Sequence, residues 1–277
     1  MKIAFIGTGV MGAPMAGHLT QDHHVTVFNR TLAKTKAIQG SVIIKNHLLE
    51  AIANQDLILT MLGTPKDVEE VYNVLLTHVK KGTGLIDFTT SSPSLAKQLA
   101  QQAKSKGISI LDAPVTGGQQ GAIAKTLTIM VGGEEATYQK YGSIFQTLGK
   151  TILYVGEAGQ GQHAKMANQI AIAGQLVGLA EALTYAKQQN LNLDTTLNIL
   201  QSGAAQSYSV KNYGPKMINQ DWQATFYLKH FLKDLTIAIQ HSPVALPVVK
   251  QVKQTLETLV TTYGEKGVQS IIQAYLK

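Results

Sequence analysis

Five short stretches of the 277-residue chain combine residue types and spacings that could do chemistry. The first is Gly7-Thr8-Gly9-Val10-Met11-Gly12, after an apolar run at residues 3–6 and before a helical stretch that reaches Leu19. In that setting GxGxxG is a dinucleotide signature. Gly7 permits a tight turn, Gly9 lets the backbone approach a pyrophosphate over the helix N-terminus, and Gly12 lets helix and strand pack closely. Thr8, Val10 and Met11 complete this cofactor loop. The second stretch, Asn29-Arg30-Thr31, ends the next strand. An NAD site carries Asp or Glu there, to accept hydrogen bonds from the ribose hydroxyls. Asn29 lacks the charge that would repel a 2′-phosphate, Arg30 can pair with that phosphate in bidentate fashion, and Thr31 adds a hydroxyl. The expected cofactor is NADP(H), preferred over NAD(H).

The remaining stretches are Asp87-Phe88-Thr89-Thr90-Ser91-Ser92-Pro93, the run from Asp112 to Ala122, and the run from Gly159 to Gln169 that enters a long helix. The elements that must position all five follow a simple rhythm. β-rich runs fall at residues 3–6, 25–28, 57–61, 84–87, 108–111, 127–131 and 152–155, with helical stretches such as 65–79 and 93–106 between most of them. This alternation predicts an α/β fold with a mostly parallel, doubly wound Rossmann-type sheet, in which ligands sit beyond the carboxyl ends of the strands. The clusters at 87–93 and 112–122, each after a strand, belong there. After about residue 160 the strands stop. Helices are expected at 161–189, 194–201, 226–242 and 244–263, so an all-α domain follows. The boundary is placed in the glycine-rich turn 156–161, giving a nucleotide-binding domain over 1–157 and a helical domain over 158–277. The chain shows no internal repeat.

Composition sets limits. The absence of cysteine excludes disulfides, thiolate metal sites and cysteine nucleophiles, and suits a cytoplasmic location. The net charge of +7 favours anionic small molecules, but the basic residues are scattered and no basic run interleaves with aromatics, so no nucleic-acid partner is expected. Residues 1–7 are too short in apolar content for a secretory signal, and the most apolar long segment, 166–186, carries Asn168, Gln169, Gln175 and Glu181, so no membrane span is expected. No His/Asp/Glu spacing implies a metal. His163 neighbours Lys165, but adjacent residues on a helix point apart; His23 and His24 read as a loop.

Taken together, these stretches resemble the β-hydroxyacid dehydrogenases, a family that includes 3-hydroxyisobutyrate dehydrogenase, tartronate semialdehyde reductase and glyoxylate/succinic semialdehyde reductase. The family's GxGxMGxxMAxxL matches Gly7 to Leu19. Its DAPVSGGxxGA matches Asp112 to Ala122 with Thr116 in place of Ser. Its GxGxxxK followed by Asn matches Gly159 to Asn168, and its KDL matches Lys233-Asp234-Leu235. Lys125 departs from the pattern, standing where relatives often have Gly.

The resemblance implies an oxidoreductase that interconverts a short 3-hydroxy acid and its β-oxo acid or semialdehyde by hydride transfer. Lys165 would be the general acid/base. A free lysine has a pKa near roughly 10.4, so work near neutrality would favour depression by burial or neighbouring positive charge. Asn168, three residues on and on the same helical face, would bind and orient substrate. Thr116 with the Gly117-Gly118 backbone would cradle the substrate carboxylate. Thr90 would approach the nicotinamide or its ribose. Met61 and Leu62 would line the cofactor cleft, with a place in the core as the other reading. Lys233 would reach the cofactor from the second domain. Homodimers or homotetramers formed through the helical domain are also implied. Three other readings remain: a 6-phosphogluconate dehydrogenase-like enzyme, against which the short chain argues; an imine-reductase-like enzyme, against which Lys165 argues; and a non-catalytic NADP-binding protein.

Overall fold

The computed structural model describes residues 1–276. Two compact units divide the chain, Met1–Lys165 and Met166–Lys277.

The first unit is built on a nine-stranded sheet. In chain order its elements are β1 (Lys2–Ile6), α1 (Gly12–Leu19), β2 (His24–Phe28), β3 (Val42–Ile44), α2 (Leu48–Ile52), β4 (Leu57–Thr60), α3 (Pro65–His78), β5 (Gly84–Asp87) and α4 (Pro93–Ser105). There follow β6 (Ser109–Asp112), β7 (Val115–Thr116), α5 (Gly118–Ile123), β8 (Leu127–Gly133), α6 (Glu135–Lys140), α7 (Gly142–Leu148), β9 (Gly149–Gly156) and the start of α8 (Gln160–Gln188). The strand order is β3-β2-β1-β4-β5-β6-β8-β7, with β9 paired to β8. Strands β1 to β6 are parallel, and β8 runs antiparallel to β6 and β7. Three of the central strands, β1, β4 and β5, are largely apolar on both faces and almost wholly buried, as helices on both sides of a parallel sheet require: Ile3, Phe5, Leu57, Leu59, Leu85 and Ile86 are fully covered.

Caps start the helices where the chain must turn. Thr64 accepts the Asp67 N–H ahead of Pro65, and Ser92 accepts the Leu95 N–H ahead of Pro93. Helix α1 differs, having no side-chain cap and no acidic residue in its first turn. His24 begins β2 rather than belonging to a loop.

The strand register determines what reaches the ligand-binding edge. Phe28, Ile6, Thr60, Asp87, Asp112 and Gly132 form one row across the sheet. Gly7, Asn29, Met61, Phe88 and Ala113 therefore emerge side by side, and the sequence clusters follow that row.

In the second unit, most of α8 packs with α9 (Leu193–Ser202), α10 (Tyr208–Ile218), α11 (Leu228–His241) and α12 (Pro247–Tyr263). Its core includes Leu176, Leu183, Phe231, Leu235, Leu256 and Ile271. The pattern reading left out α10, which carries Gly214 and Pro215 inside a regular helix. Among the described residues no helix is long and apolar enough to cross a membrane.

Candidate active site

The Gly7–Gly12 turn lies at the point where strand order reverses, between the carboxyl ends of β1 and β4. Gly7 has φ +95°, and a Cβ there would sit 2.2 Å from the Met61 carbonyl oxygen. A Cβ on Gly12 would sit 2.0 Å from the Gly7 carbonyl oxygen. Both glycines are thus demanded by the protein's own packing. Gly9 is not: a Cβ there would meet nothing within 4 Å. The space in front of Gly9 is open, and the uncapped N–H groups of α1 begin just beyond it. Thr8 Oγ1 is buried with no hydrogen-bond partner among the described residues. An open approach to backbone N–H groups fits a dinucleotide pyrophosphate.

Asn29 has a role that its residue type alone did not show. Its Oδ1 accepts the Thr8 N–H at 3.0 Å and its Nδ2 donates to the Thr31 carbonyl at 2.9 Å, tying the glycine turn to the end of β2. Arg30 pairs with Asp67. Asp67 is fixed in turn by the Thr64 hydroxyl, which donates to its second oxygen at 2.7 Å. Burial pushes Asp67 up, but the Thr64 and Arg30 interactions outweigh it and hold its carboxyl below the usual value. The Arg30 side chain remains 75% exposed, leaving donors of the guanidinium open to solvent. Thr31 is exposed, and Val10 and Met11 are half-buried.

Met61 and Leu62 follow β4. Each is half-buried, with Met61 against the core under α1 and Leu62 against the core under α3 and α4. The Leu62 N–H donates to Thr89 Oγ1 at 2.8 Å, joining the ends of β4 and β5. Thr90, one residue on, is half-buried. Asp87 closes β5 and accepts from the Thr60 hydroxyl at 2.8 Å and the Thr89 N–H at 3.0 Å.

Thr116 ends β7, and Gly117 and Gly118 carry the chain into α5 with φ of +124° and +61°. All three are half-buried at the same edge of the sheet. Lys125, the departure from the family pattern, has φ +57°, a conformation that favours glycine.

The third cluster is a docking turn. Asp112 accepts the Gly159 N–H at 2.8 Å on one carboxylate oxygen and the Gln162 N–H at 2.9 Å on the other. Burial pushes the Asp112 carboxyl up to about 7, against the opposing pull of those N–H groups, and nearby Asp87 adds to the rise. A Cβ on Gly161 would lie 2.6 Å from the carbonyl oxygens of both Asp112 and Met130, so glycine is required for this close approach. Gln162 is fully buried, and its amide accepts from the Ser91 N–H and donates to the Thr89 carbonyl, both at 2.8 Å. Lys165 follows in the same turn of helix and is only 7% exposed. His163 is exposed. The sequence analysis gave Lys165 a role but none to Asp112, which opens the cluster at 112–122, or to Gln162, which follows Gly161.

Within the second unit, Asn168 Nδ2 donates to Gln169 Oε1 at 2.9 Å, and Gln169 Nε2 donates to Asp234 Oδ2 at 2.7 Å. Lys233 Nζ lies 3.2 Å from Asp234 Oδ1. Gln169 and Asp234 are buried. This chain links Asn168 to Lys233 through two residues to which the sequence reading gave no role. His230, one turn before Asp234, is pushed down to about 4 by burial, with Lys233 adding to the fall.

Comparison with known proteins agrees with this architecture. Residues 2–156 match the family model described as the NAD binding domain of 6-phosphogluconate dehydrogenase. Residues 159–275 match the model described as NAD-binding of NADP-dependent 3-hydroxyisobutyrate dehydrogenase. The chain is 43% identical to an uncharacterised oxidoreductase of Bacillus subtilis, over 99% of both proteins. It is 34% identical to 2-hydroxy-3-oxopropionate reductase of Escherichia coli, over 96% of this chain and 92% of the relative. Its fold matches that of 3-hydroxyisobutyrate dehydrogenase from Mycobacterium tuberculosis, solved with L-serine, with TM-score 0.88 and 28% identity over 100% of this chain and 99% of the other. The chain belongs to the β-hydroxyacid dehydrogenase family of nicotinamide-dependent oxidoreductases that act on hydroxyl donors.

Proposed function

We propose that the protein is an NADP-dependent reductase of a short β-oxo acid or aldehyde acid, reversible as a 3-hydroxy acid dehydrogenase, with Lys165 as general acid/base. The observation that carries this reading is Lys165 itself, a buried lysine whose helical turn is pinned to the carboxyl ends of β5 and β6. The names of the E. coli and M. tuberculosis relatives support the substrate class.

When bound, the nicotinamide supplies or accepts the hydride. In reduction the Lys165 ammonium donates a proton to the carbonyl oxygen, and in oxidation the neutral amine takes the hydroxyl proton. Asn168, oriented by Gln169, hydrogen-bonds the substrate. Thr116 and the Gly117-Gly118 backbone receive its carboxylate, with the Thr116 hydroxyl donating as a serine would. Residues Gly7 to Gly12 hold the pyrophosphate, and Asn29 keeps that turn in place. The open side of the Arg30 guanidinium and the Thr31 hydroxyl receive the 2′-phosphate. Thr90 approaches the nicotinamide ribose, Met61 and Leu62 line the cofactor site, and Lys233 contributes a cation held by Asp234. Self-association through the helical unit and a cytoplasmic location complete the proposal.

The test is an NADPH-oxidation panel with glyoxylate, succinic semialdehyde, tartronate semialdehyde and methylmalonate semialdehyde, repeated with NADH. Turnover of at least one, with higher kcat/KM for NADPH, is expected. A much higher kcat/KM for NADH would overturn the cofactor preference, and NADPH binding without turnover of any aldehyde acid would overturn the substrate class.

A further inference from the structure

We propose that Asp112 and Gln162 are positioning residues for the reaction: together they clamp the first turn of α8 to the ends of β5 and β6 and so fix where Lys165 stands. The inference rests on the reading of Lys165 as the general acid/base.

The geometry is specific. Asp112 offers two carboxylate oxygens to two different N–H groups three residues apart, Gly159 and Gln162, which are donors that the start of a helix leaves without intrahelical acceptors. Gln162 grips the opposite way, with its side chain accepting from Ser91 and donating to Thr89. One turn of backbone is therefore held from β6 by a carboxylate and held to the β5 loop by an amide. The second grip also fixes the loop that carries Thr90. The bonds are buried, so each lost partner would leave a polar group without solvent to replace it.

Lys165 lies three residues beyond Gln162, less than one helical turn. A rotation of that turn about the helix axis would swing the ammonium away from the reacting oxygen. Proton transfer in the transition state depends on heavy-atom separations near roughly 3 Å, and a displacement of about 1 Å can cost on the order of a hundredfold in rate. The cofactor's phosphates are received by other residues, those of the Gly7–Gly12 turn and Arg30, while Thr90 sits on the clamped loop. The clamp therefore acts mainly on kcat and reaches cofactor affinity only through Thr90.

Among the described residues, two titratable groups interact electrostatically with Asp112. Asp87 from β5 and Tyr72 from α3 act electrostatically on Asp112 or are acted on by it. The Tyr72 hydroxyl, which burial pushes well up, stays neutral beside Thr60 at 3.1 Å.

The test compares Asp112→Asn, Gln162→Met and Lys165→Ala with wild type, using the aldehyde acid that the panel identifies. Asp112→Asn removes one acceptor at nearly constant volume, and Gln162→Met removes both side-chain bonds from a chain of similar shape. For each, kcat is expected to fall about tenfold or more while the NADPH Kd, from fluorescence titration, and the substrate KM stay within about threefold. Wild-type kcat in both variants, with Lys165→Ala inactive, would overturn the proposal. So would loss of NADPH binding in step with kcat, or failure of both variants to fold, since either would make the two residues merely structural. Wild-type kcat in Lys165→Ala would show a different failure, that of the lysine reading itself.

Discussion

Replacing Asp112 with Asn should change how stability depends on pH. Burial lifts the folded-state carboxyl to about 7 from an ordinary value of 3.8. For an acid raised in this way, the contribution to stability is fully present below the unfolded value and is lost as pH rises through the folded one, because the fold must then hold a buried charge. The separation of about three units corresponds to about 4 kcal/mol across the whole range. Between pH 5 and pH 8 the same linkage gives a loss of about 2–3 kcal/mol. Asparagine does not titrate, so it lacks this term. Urea unfolding of wild type and Asp112→Asn at a series of pH values isolates it, since other groups cancel in the difference. Relative to the variant, wild type should lose about 2–3 kcal/mol from pH 5 to pH 8. A difference that stays flat within about 0.5 kcal/mol would show that the N–H groups of Gly159 and Gln162 fully compensate the buried carboxylate, and would refute the reasoning.

Three further outcomes follow from the same structure. Gly9→Ala should leave stability within about 0.5 kcal/mol of wild type and weaken NADPH binding at least about tenfold, whereas Gly12→Ala should cost about 1–3 kcal/mol because its Cβ collides with the Gly7 carbonyl; thermal melts and fluorescence titration check both. Arg30→Ala should weaken NADPH by about 10- to 100-fold and NADH by no more than about threefold, the expected loss for a charge-assisted phosphate contact, measured by titration of both cofactors. Lys125→Gly should raise stability by up to about 1 kcal/mol in chemical denaturation, since it relieves a left-handed φ of +57°.

Much of this was legible in the sequence because the chemistry sits on a repeating scaffold. Each cluster follows a buried strand, and a shared register puts Phe28, Ile6, Thr60, Asp87 and Asp112 in one row, so clusters read separately along the chain arrive together in space. The sign of α1 was equally clear, because glycines at fixed spacing leave little else to build.

What escaped the pattern was short or contextual. Strands β3 and β7 have only three and two residues, too few for a periodicity. Helix α10 hides behind Gly214 and Pro215, which read as breakers. The antiparallel placement of β8 depends on long-range pairing that no local pattern records. Residue roles fixed by distant partners were also invisible: Asn29 as a brace for Thr8, Asp67 as the partner of Arg30, and Gln162 as the bridge between α8 and β5. Their types suit a surface loop as well as a site, and only the fold separates the two.

The proposed reaction depends on Lys165. The most direct measurement is single-turnover hydride transfer from NADPH to the accepted aldehyde acid in wild type and Lys165→Ala, with the NADPH Kd of each measured alongside. In the variant the rate should fall by about 10²- to 10⁴-fold at a Kd changed by no more than about threefold. A rate within about tenfold of wild type at the same Kd would contradict it, and would move the proton to another group at the edge of the sheet.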